Sequence, residues 1–191
     1  MDVKEEGLIH GAIGDHWYYK SKARAIAATL KGVPVNGVLD VGAGSGFFSK
    51  YLLIHTAAKE ATCVDTAYEK DSEETAGGKK IRFVRSGGKT DADLVLLMDV
   101  LEHVDDDNGL LTQVMAGTNA GTHCLITVPA FQSLFTEHDR ALKHFRRYRR
   151  SQLAGEVAAA GLQILDSGYL FASLLAPRAA GALKEVAEPT V

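Results

Sequence analysis

The sequence predicts a doubly wound α/β fold: a mostly parallel sheet covered by helices in a three-layer sandwich. Three observations carry this expectation. Short apolar runs alternate with helical stretches along most of the chain. The run Leu94-Val95-Leu96-Leu97-Met98 is apolar at every position, which suits a central parallel strand covered on both faces. Finally, Val38-Leu39-Asp40-Val41 breaks into Gly42-Ala43-Gly44-Ser45-Gly46 and resumes with an apolar stripe from Phe47, reading as strand, glycine turn and helix.

In chain order, residues 16–31 carry a helical stripe of Trp17, Ala23, Ile26, Ala27 and Leu30, stopped by Gly32 and Pro34. The strand at 38–41 and the helix from Phe47 to His55 follow, with Phe48, Leu52 and Leu53 on one side. Residues 61–64 read as a second strand ending in Asp65, and 69–80 as a polar, glycine-containing connection. Residues 81–84 and 94–98 read as the third and fourth strands. An acidic first turn opens a helix from Asp105 to Gly117, matching the helix dipole. Residues 124–128 form the expected fifth strand, stopped by Pro129, and 130–150 a polar, basic loop or short helical excursion. Ser151 is expected to cap a helix running to Ala160, with Gly161 at its end. Residues 162–165 open an expected sixth strand, and no clear seventh follows. The expectation is therefore one domain over 1–191, with a core at 16–170 and an ambiguous tail at 171–191.

Composition narrows the function classes. A chain of 191 residues can bury a core without disulfides or metal staples. Its 46% hydrophobic and 24% charged content excludes disorder along the whole chain. The net charge of −3 disfavours a general nucleic-acid binder, which would more often be basic. Cys63 and Cys124 sit in apolar runs and read as buried thiols, which excludes a disulfide framework. No apolar run reaches the ~18 residues of a membrane span. Met1 to Gly7 is charged and lacks the apolar segment of a signal peptide, so a cytoplasmic location is expected.

The strongest chemical signal is Asp40-x-Gly42-x-Gly44-x-Gly46. Glycines let the chain turn tightly and let a ligand approach the main chain. A phosphate-binding Walker loop requires Lys-Ser/Thr after its last glycine, whereas Phe47-Phe48 follows here. A dinucleotide fingerprint starting at Gly42 meets Phe47 where glycine is needed, and one starting at Gly44 meets Ser49. Asp40 would repel a pyrophosphate and suits a ligand with a positive charge. Asp65, about 20 residues beyond the turn, can accept the two hydroxyls of a ribose; its bland alternative is a helix cap or turn aspartate. A ribose-bearing, cationic, phosphate-free ligand fits S-adenosylmethionine (SAM).

With these residues in place, Val38 to Gly46 resembles motif I of class I SAM-dependent methyltransferases, and Asp65 matches their ribose-binding acid. Met98-Asp99-Val100-Leu101-Glu102-His103 resembles the segment after strand four in a subgroup with a Leu-Glu-His signature. His16-Trp17-Tyr18-Tyr19 and His144-Phe145-Arg146-Arg147-Tyr148 resemble one bacterial subgroup carrying His-Trp-Trp and His-x-Arg-Arg-Tyr. The resemblance covers roughly 16–170 and implies the Rossmann-like class I methyltransferase fold. It implies that Gly42, Ala43, Gly44 and Gly46 hold the methionine portion and that Asp40 orients its amino group. It places Asp65, with Thr66 beside it, at the ribose, and Met98, Asp99 and Val100 as backbone contacts. Lys22 stands where the subgroup often has arginine and could pair with the methionine carboxylate; the alternative is a solvated helix face. Asp91 or Asp93 is left as a candidate for the adenine.

For a methyl acceptor that needs a base, His103 and His138 are the candidates, histidine being the usual near-neutral base. His103 could instead cap or bridge, and His144 reads as structural. The run Arg146-Arg147-Tyr148-Arg149-Arg150 invites a nucleic-acid reading. It is better read as a clamp, with arginines pairing to acidic loop residues and the tyrosine in the core, ahead of an acidic small substrate. No metal site is expected: the cysteines are too few, and nothing brings Asp99 and Asp139 together. The expected function is transfer of a methyl group from SAM to a small-molecule acceptor, a guess by analogy as to acceptor. The alternative is a non-catalytic SAM-binding sensor or partner subunit. The oligomeric state is left open.

Overall fold

The computed structural model describes residue 14, residues 16–177 and residue 179. Met1 to Gly7 and the end of the tail lie outside these. Among the described residues the chain runs through helix α1 (Trp17–Thr29), strand β1 (Gly37–Val41), helix α2 (Phe47–His55) and strands β2 (Glu60–Val64), β3 (Ser72–Ala76), β4 (Lys79–Val84) and β5 (Leu94–Met98). A 3-10 turn (Leu101–His103), helix α3 (Asp107–Ala116) and strand β6 (His123–Thr127) follow. Another 3-10 turn (Gln132–Leu134), helices α4 (Glu137–Ala141) and α5 (Arg150–Ala159) and a last 3-10 turn (Ala172–Leu174) complete the order.

The six strands form one sheet in the order β3-β4-β2-β1-β5-β6. Every pairing is parallel except the β3–β4 hairpin. β1 pairs with β2 on one side and β5 on the other, with Val41 opposite both Val64 and Leu97. The carboxyl ends of β1, β2 and β5 therefore lie side by side. The chain's winding reverses between β1 and β5, the place where such sheets bind ligands. All five residues of β5 are buried, as an apolar central strand requires.

Two compact units make up the described structure. The first comprises residues up to Val100 together with Val114–Thr127 and holds the sheet. Its core joins Tyr19, Ala23 and Ile26 of α1, Phe48, Leu52 and Leu53 of α2, and Leu94, Leu96 and Met98 of β5. The second comprises Leu101–Gln113 and the residues from Val128 onward.

Three local expectations are corrected. The polar stretch 69–80 contains β3, which turns through Gly77 and Gly78 (φ +59° and +74°) into β4. A two-residue turn with both residues at positive φ matches the twist of a hairpin, and Gly-Gly supplies it. Ser151 lies inside α5 and does not cap it; Arg149 is the cap residue, and its N–H donates to Gln152 Oε1 at 2.9 Å. Gly161 does end the helix, at φ +76°. Its N–H donates to Ala158 and that of Leu162 to Val157, the paired bonds of a Schellman ending. Residues 162–165 form no strand, and Leu165 is 73% exposed. An apolar run this short becomes a strand only where a sheet edge accepts its main chain.

Candidate functional site

The glycine turn leaves β1 at its carboxyl end. Gly42 N–H donates to Val64 C=O at 2.8 Å, and Ala43 N–H to the same oxygen at 3.3 Å, so the turn is tied to the end of β2. Two of its glycines are required by geometry. At Gly42 (φ +69°) a Cβ would lie 2.8 Å from Val100 Cγ2, and at Gly46 (φ +69°) 2.8 Å from Phe83 Cε1. A side chain at either position would meet both backbone strain and a neighbour. Gly46 then opens α2 with its C=O accepting from Lys50 N–H at 2.8 Å.

Two carboxylates flank this turn. Asp40 is 1% exposed, and its Oδ2 accepts from Ser49 Oγ at 2.7 Å. Its Oδ1 and the hydroxyl of Ser45 are buried with no hydrogen-bond partner among the described residues. Burial pushes the Asp40 carboxyl up from its ordinary value to about 6, against the opposing pull of the Ser49 hydrogen bond. Asp65, at the end of β2, is half-buried. Its Oδ2 accepts from Gly44 N–H and its Oδ1 from Ala67 N–H, each at 2.9 Å. An ionised carboxylate offers about four lone-pair sites, so two main-chain bonds leave room for two hydroxyls. Tyr68 OH closes the frame by donating to Gly44 C=O at 2.6 Å.

On the β5 side, Asp99 has φ +55° and its N–H donates to Thr127 C=O at 2.9 Å. Lys22, 2% exposed on α1, donates to Asp99 Oδ2, and Thr127 Oγ1 donates to Asp99 Oδ1 at 3.1 Å. Burial raises the Asp99 carboxyl, but the Lys22 ammonium and these hydrogen bonds outweigh it and hold it below the usual range. Lys22 is therefore no solvated helix residue; its ammonium lies against Asp99, 5.5 Å from the Phe48 ring centroid. Of the remaining predicted contacts, Ala43 and Met98 are buried, Val100 lies against Gly42, and Thr66 is exposed. Asp93 accepts from the N–H groups of Asn36 and Gly37 at the start of β1, and Asp91 from the Asn119 amide. Those bonds give both adenine candidates a structural use at the other end of the strands.

The predicted bases lie in the second unit. His138 is exposed on α4. His103 ends the 3-10 turn, and its ring meets that of His144 edge-on, with centroids 4.6 Å apart. The neighbouring Asp139 turns away from solvent and binds His144 Nδ1 at 2.9 Å, Arg147 Nε and Nη2 each at 2.9 Å, and Thr136 N–H at 2.9 Å. Burial works against its ionised form, but the bonds from His144, Arg147 and Thr136 prevail and hold its carboxyl far below the usual range. Arg146 pairs with Asp107 Oδ2 at 2.9 Å, and Tyr148, 4% exposed, donates to the same oxygen at 2.6 Å. This is the geometry of a clamp.

Ser49, Tyr68 and Thr127 were not singled out in the sequence. Each acts through a partner far along the chain or on the next turn, and none carries a motif of its own. Taken together, the first unit presents an unpartnered buried carboxylate oxygen, a buried hydroxyl and a second carboxylate with lone pairs to spare. That acceptor set fits SAM, whose ammonium and vicinal ribose hydroxyls are hydrogen-bond donors.

Comparisons with known proteins agree with this frame. The fold resembles that of an O-methyltransferase family protein from Burkholderia thailandensis, at 17% identity over 82% of this chain and 58% of that one, with a TM-score of 0.57. The chain thus spans less than two thirds of that protein's length. It also resembles the YcgJ protein of Bacillus subtilis, at 15% identity over 87% and 85% of the two chains and a TM-score of 0.61. A third similar structure is the [4+2]-cyclase SpnF, at 15% identity over 93% and 72% and a TM-score of 0.63. No curated protein matches in sequence. These likenesses identify a Rossmann-like class I methyltransferase fold. A family model described as a methyltransferase domain matches residues 15–167, a span that takes in the glycine turn, both flanking carboxylates and the clamp, and the chain accordingly belongs to that methyltransferase family.

Proposed function

We propose that the protein binds SAM and transfers its methyl group to a small-molecule acceptor by in-line displacement, acting as one domain over 1–191. The observation that carries this reading is Asp40: a buried carboxylate at the head of the glycine turn, with one oxygen held by Ser49 and the other without a partner among the described residues. A cationic ammonium is the natural occupant of that oxygen. Asp65 holds the ribose while its main-chain bonds fix the turn. Lys22 acts as a positioning residue that sets Asp99 and, with it, the main chain of Met98 to Val100. The Leu-Glu-His and His-x-Arg-Arg-Tyr segments support membership of the bacterial subgroup, since the clamp uses Arg146, Arg147 and Tyr148 together.

Bound SAM supplies an already activated methyl group, so this chain's work is alignment and exclusion of water. Positioning alone can contribute about 7–11 kcal/mol to such a displacement. A hydroxyl acceptor would give its proton to His103 or His138, worth about 10²–10⁴-fold. Among the described residues no helix is long and apolar enough to cross a membrane.

The [4+2]-cyclase with the same fold keeps a second reading in view: a SAM-binding protein without transfer. Labelled SAM, incubated with the protein and an extract of source cells, separates the two. The expected result is label in the small-molecule or lipid fraction. Label in nucleic acid or protein would overturn the acceptor class, and SAM binding without label anywhere would favour the sensor.

A further inference from the structure

The second unit brings together three side chains that the reading above leaves without a joint role. Glu102 and His103 belong to the 3-10 turn Leu101–His103, and His144 follows α4. One metal-ligating atom from each lies within 4.8 Å of the others. The main chain fixes this meeting: Phe145 N–H donates to Glu102 C=O at 2.7 Å, and His144 N–H donates to Asp139 C=O at 2.9 Å. We propose that Glu102, His103 and His144 form a binding site for a divalent transition-metal cation of the zinc type.

The donor chemistry selects the cation. One carboxylate oxygen and two imidazole nitrogens suit a borderline first-row divalent ion better than magnesium or calcium, which take mostly oxygen ligands. Asp139 supplies what a metal-binding histidine needs behind it. Its carboxylate accepts the His144 Nδ1 proton at 2.9 Å, so Nε2 is the nitrogen with a lone pair and the ring is held in orientation. Asp139 is itself anchored by Arg147 and Thr136, so the support is rigid. Glu102 is buried, and His103 and His144 are partly buried. Three protein ligands leave a fourth tetrahedral position for water or an acceptor oxygen. A metal-bound His103 has given up the lone pair a base requires, so loading would suppress any base role it has. The proposal is independent of SAM binding.

Equilibrium dialysis of the full chain against zinc ions alone tests it. The wild type is expected to retain about one zinc per chain. His103→Ala and His144→Ala should each weaken binding at least tenfold, with circular dichroism showing both folded, and His55→Ala, on α2 of the first unit, should bind as the wild type does. Absence of stoichiometric zinc on the wild type would overturn the proposal. Equal binding by the wild type and a folded His103→Ala/His144→Ala double variant would do the same.

Discussion

The glycine turn of the first unit and the arginine clamp of the second hold their carboxylates in opposite ways. In the first, Asp40 and Asp65 sit on a sheet whose core is apolar, and their partners are a serine hydroxyl and main-chain N–H groups. Among the described residues no ion pair holds Asp40, and its carboxyl rises to about 6 because burial dominates. In the second, Asp107 and Asp139 are held by arginines and by Tyr148 and His144, and both stay below the usual range although burial opposes it. The difference separates a site prepared for a cation that arrives from outside from a frame whose cations are built in. A protein needs the second arrangement to fix loops and the first to bind.

The largest effect should come from breaking the built-in pairing. Arg147→Ala removes the guanidinium from Asp139, which has no exposed side-chain surface, and should cost about 3–5 kcal/mol in urea unfolding. A loss below 1 kcal/mol would mean that the clamp is not needed for the fold.

Next comes the glycine turn. Gly46→Ala combines a positive φ with contacts to Phe83 and Cys63 and should destabilise by about 2 kcal/mol or more, read by the same method. Asp65→Ala should weaken SAM binding by about 1–3 kcal/mol, since hydrogen bonds to a charged group are lost. Unchanged affinity in calorimetry would remove the ribose assignment.

The Asp40 and Asp107 carboxyls should also answer to pH with opposite signs. The Asp40 carboxyl lies above its ordinary 3.8 when folded, so the folded state binds more protons between that value and about 6. Its contribution to stability is therefore present at low pH and is lost as pH rises through that window. Asp107 lies below 3.8 when folded, so its contribution is full above that value and is lost as pH falls further. Hydrogen exchange resolved by segment, at pH values from 3 to 7, should show residues 40–49 and α3 moving in opposite directions; a common direction would contradict the contrast. The smallest effect belongs to the exposed Arg140–Glu137 pair. Arg140→Ala should stay within about 0.5 kcal/mol of the wild type in unfolding.

Much of the first unit could be read from residues alone, because its signals are local. A strand that breaks into three alternating glycines states both its turn and the need for close approach, and an acid at the end of the next strand follows by spacing. The β3–β4 hairpin was equally local, yet Gly77-Gly78 went unread inside a polar stretch whose strand is exposed at four of five positions. The second unit was legible only in outline. The arginine run announced a clamp, but its partners Asp105, Asp107 and Asp139 are brought in by folding. His144 looked structural because nothing along the chain shows that it faces His103. Ser49, in the first turn of α2, belongs to the same class: its role exists only because β1 and α2 place it against Asp40.

The central claim is that Asp40 awaits a cationic ligand. Calorimetric titration with SAM at pH 5 and pH 7, on the wild type and on Asp40→Asn, tests it directly. The wild type should bind more tightly at pH 7, where the carboxylate is ionised, and the variant should bind about tenfold or more weakly and without that pH dependence. Equal affinities for the two proteins, or no SAM binding by the wild type at either pH, would contradict the account.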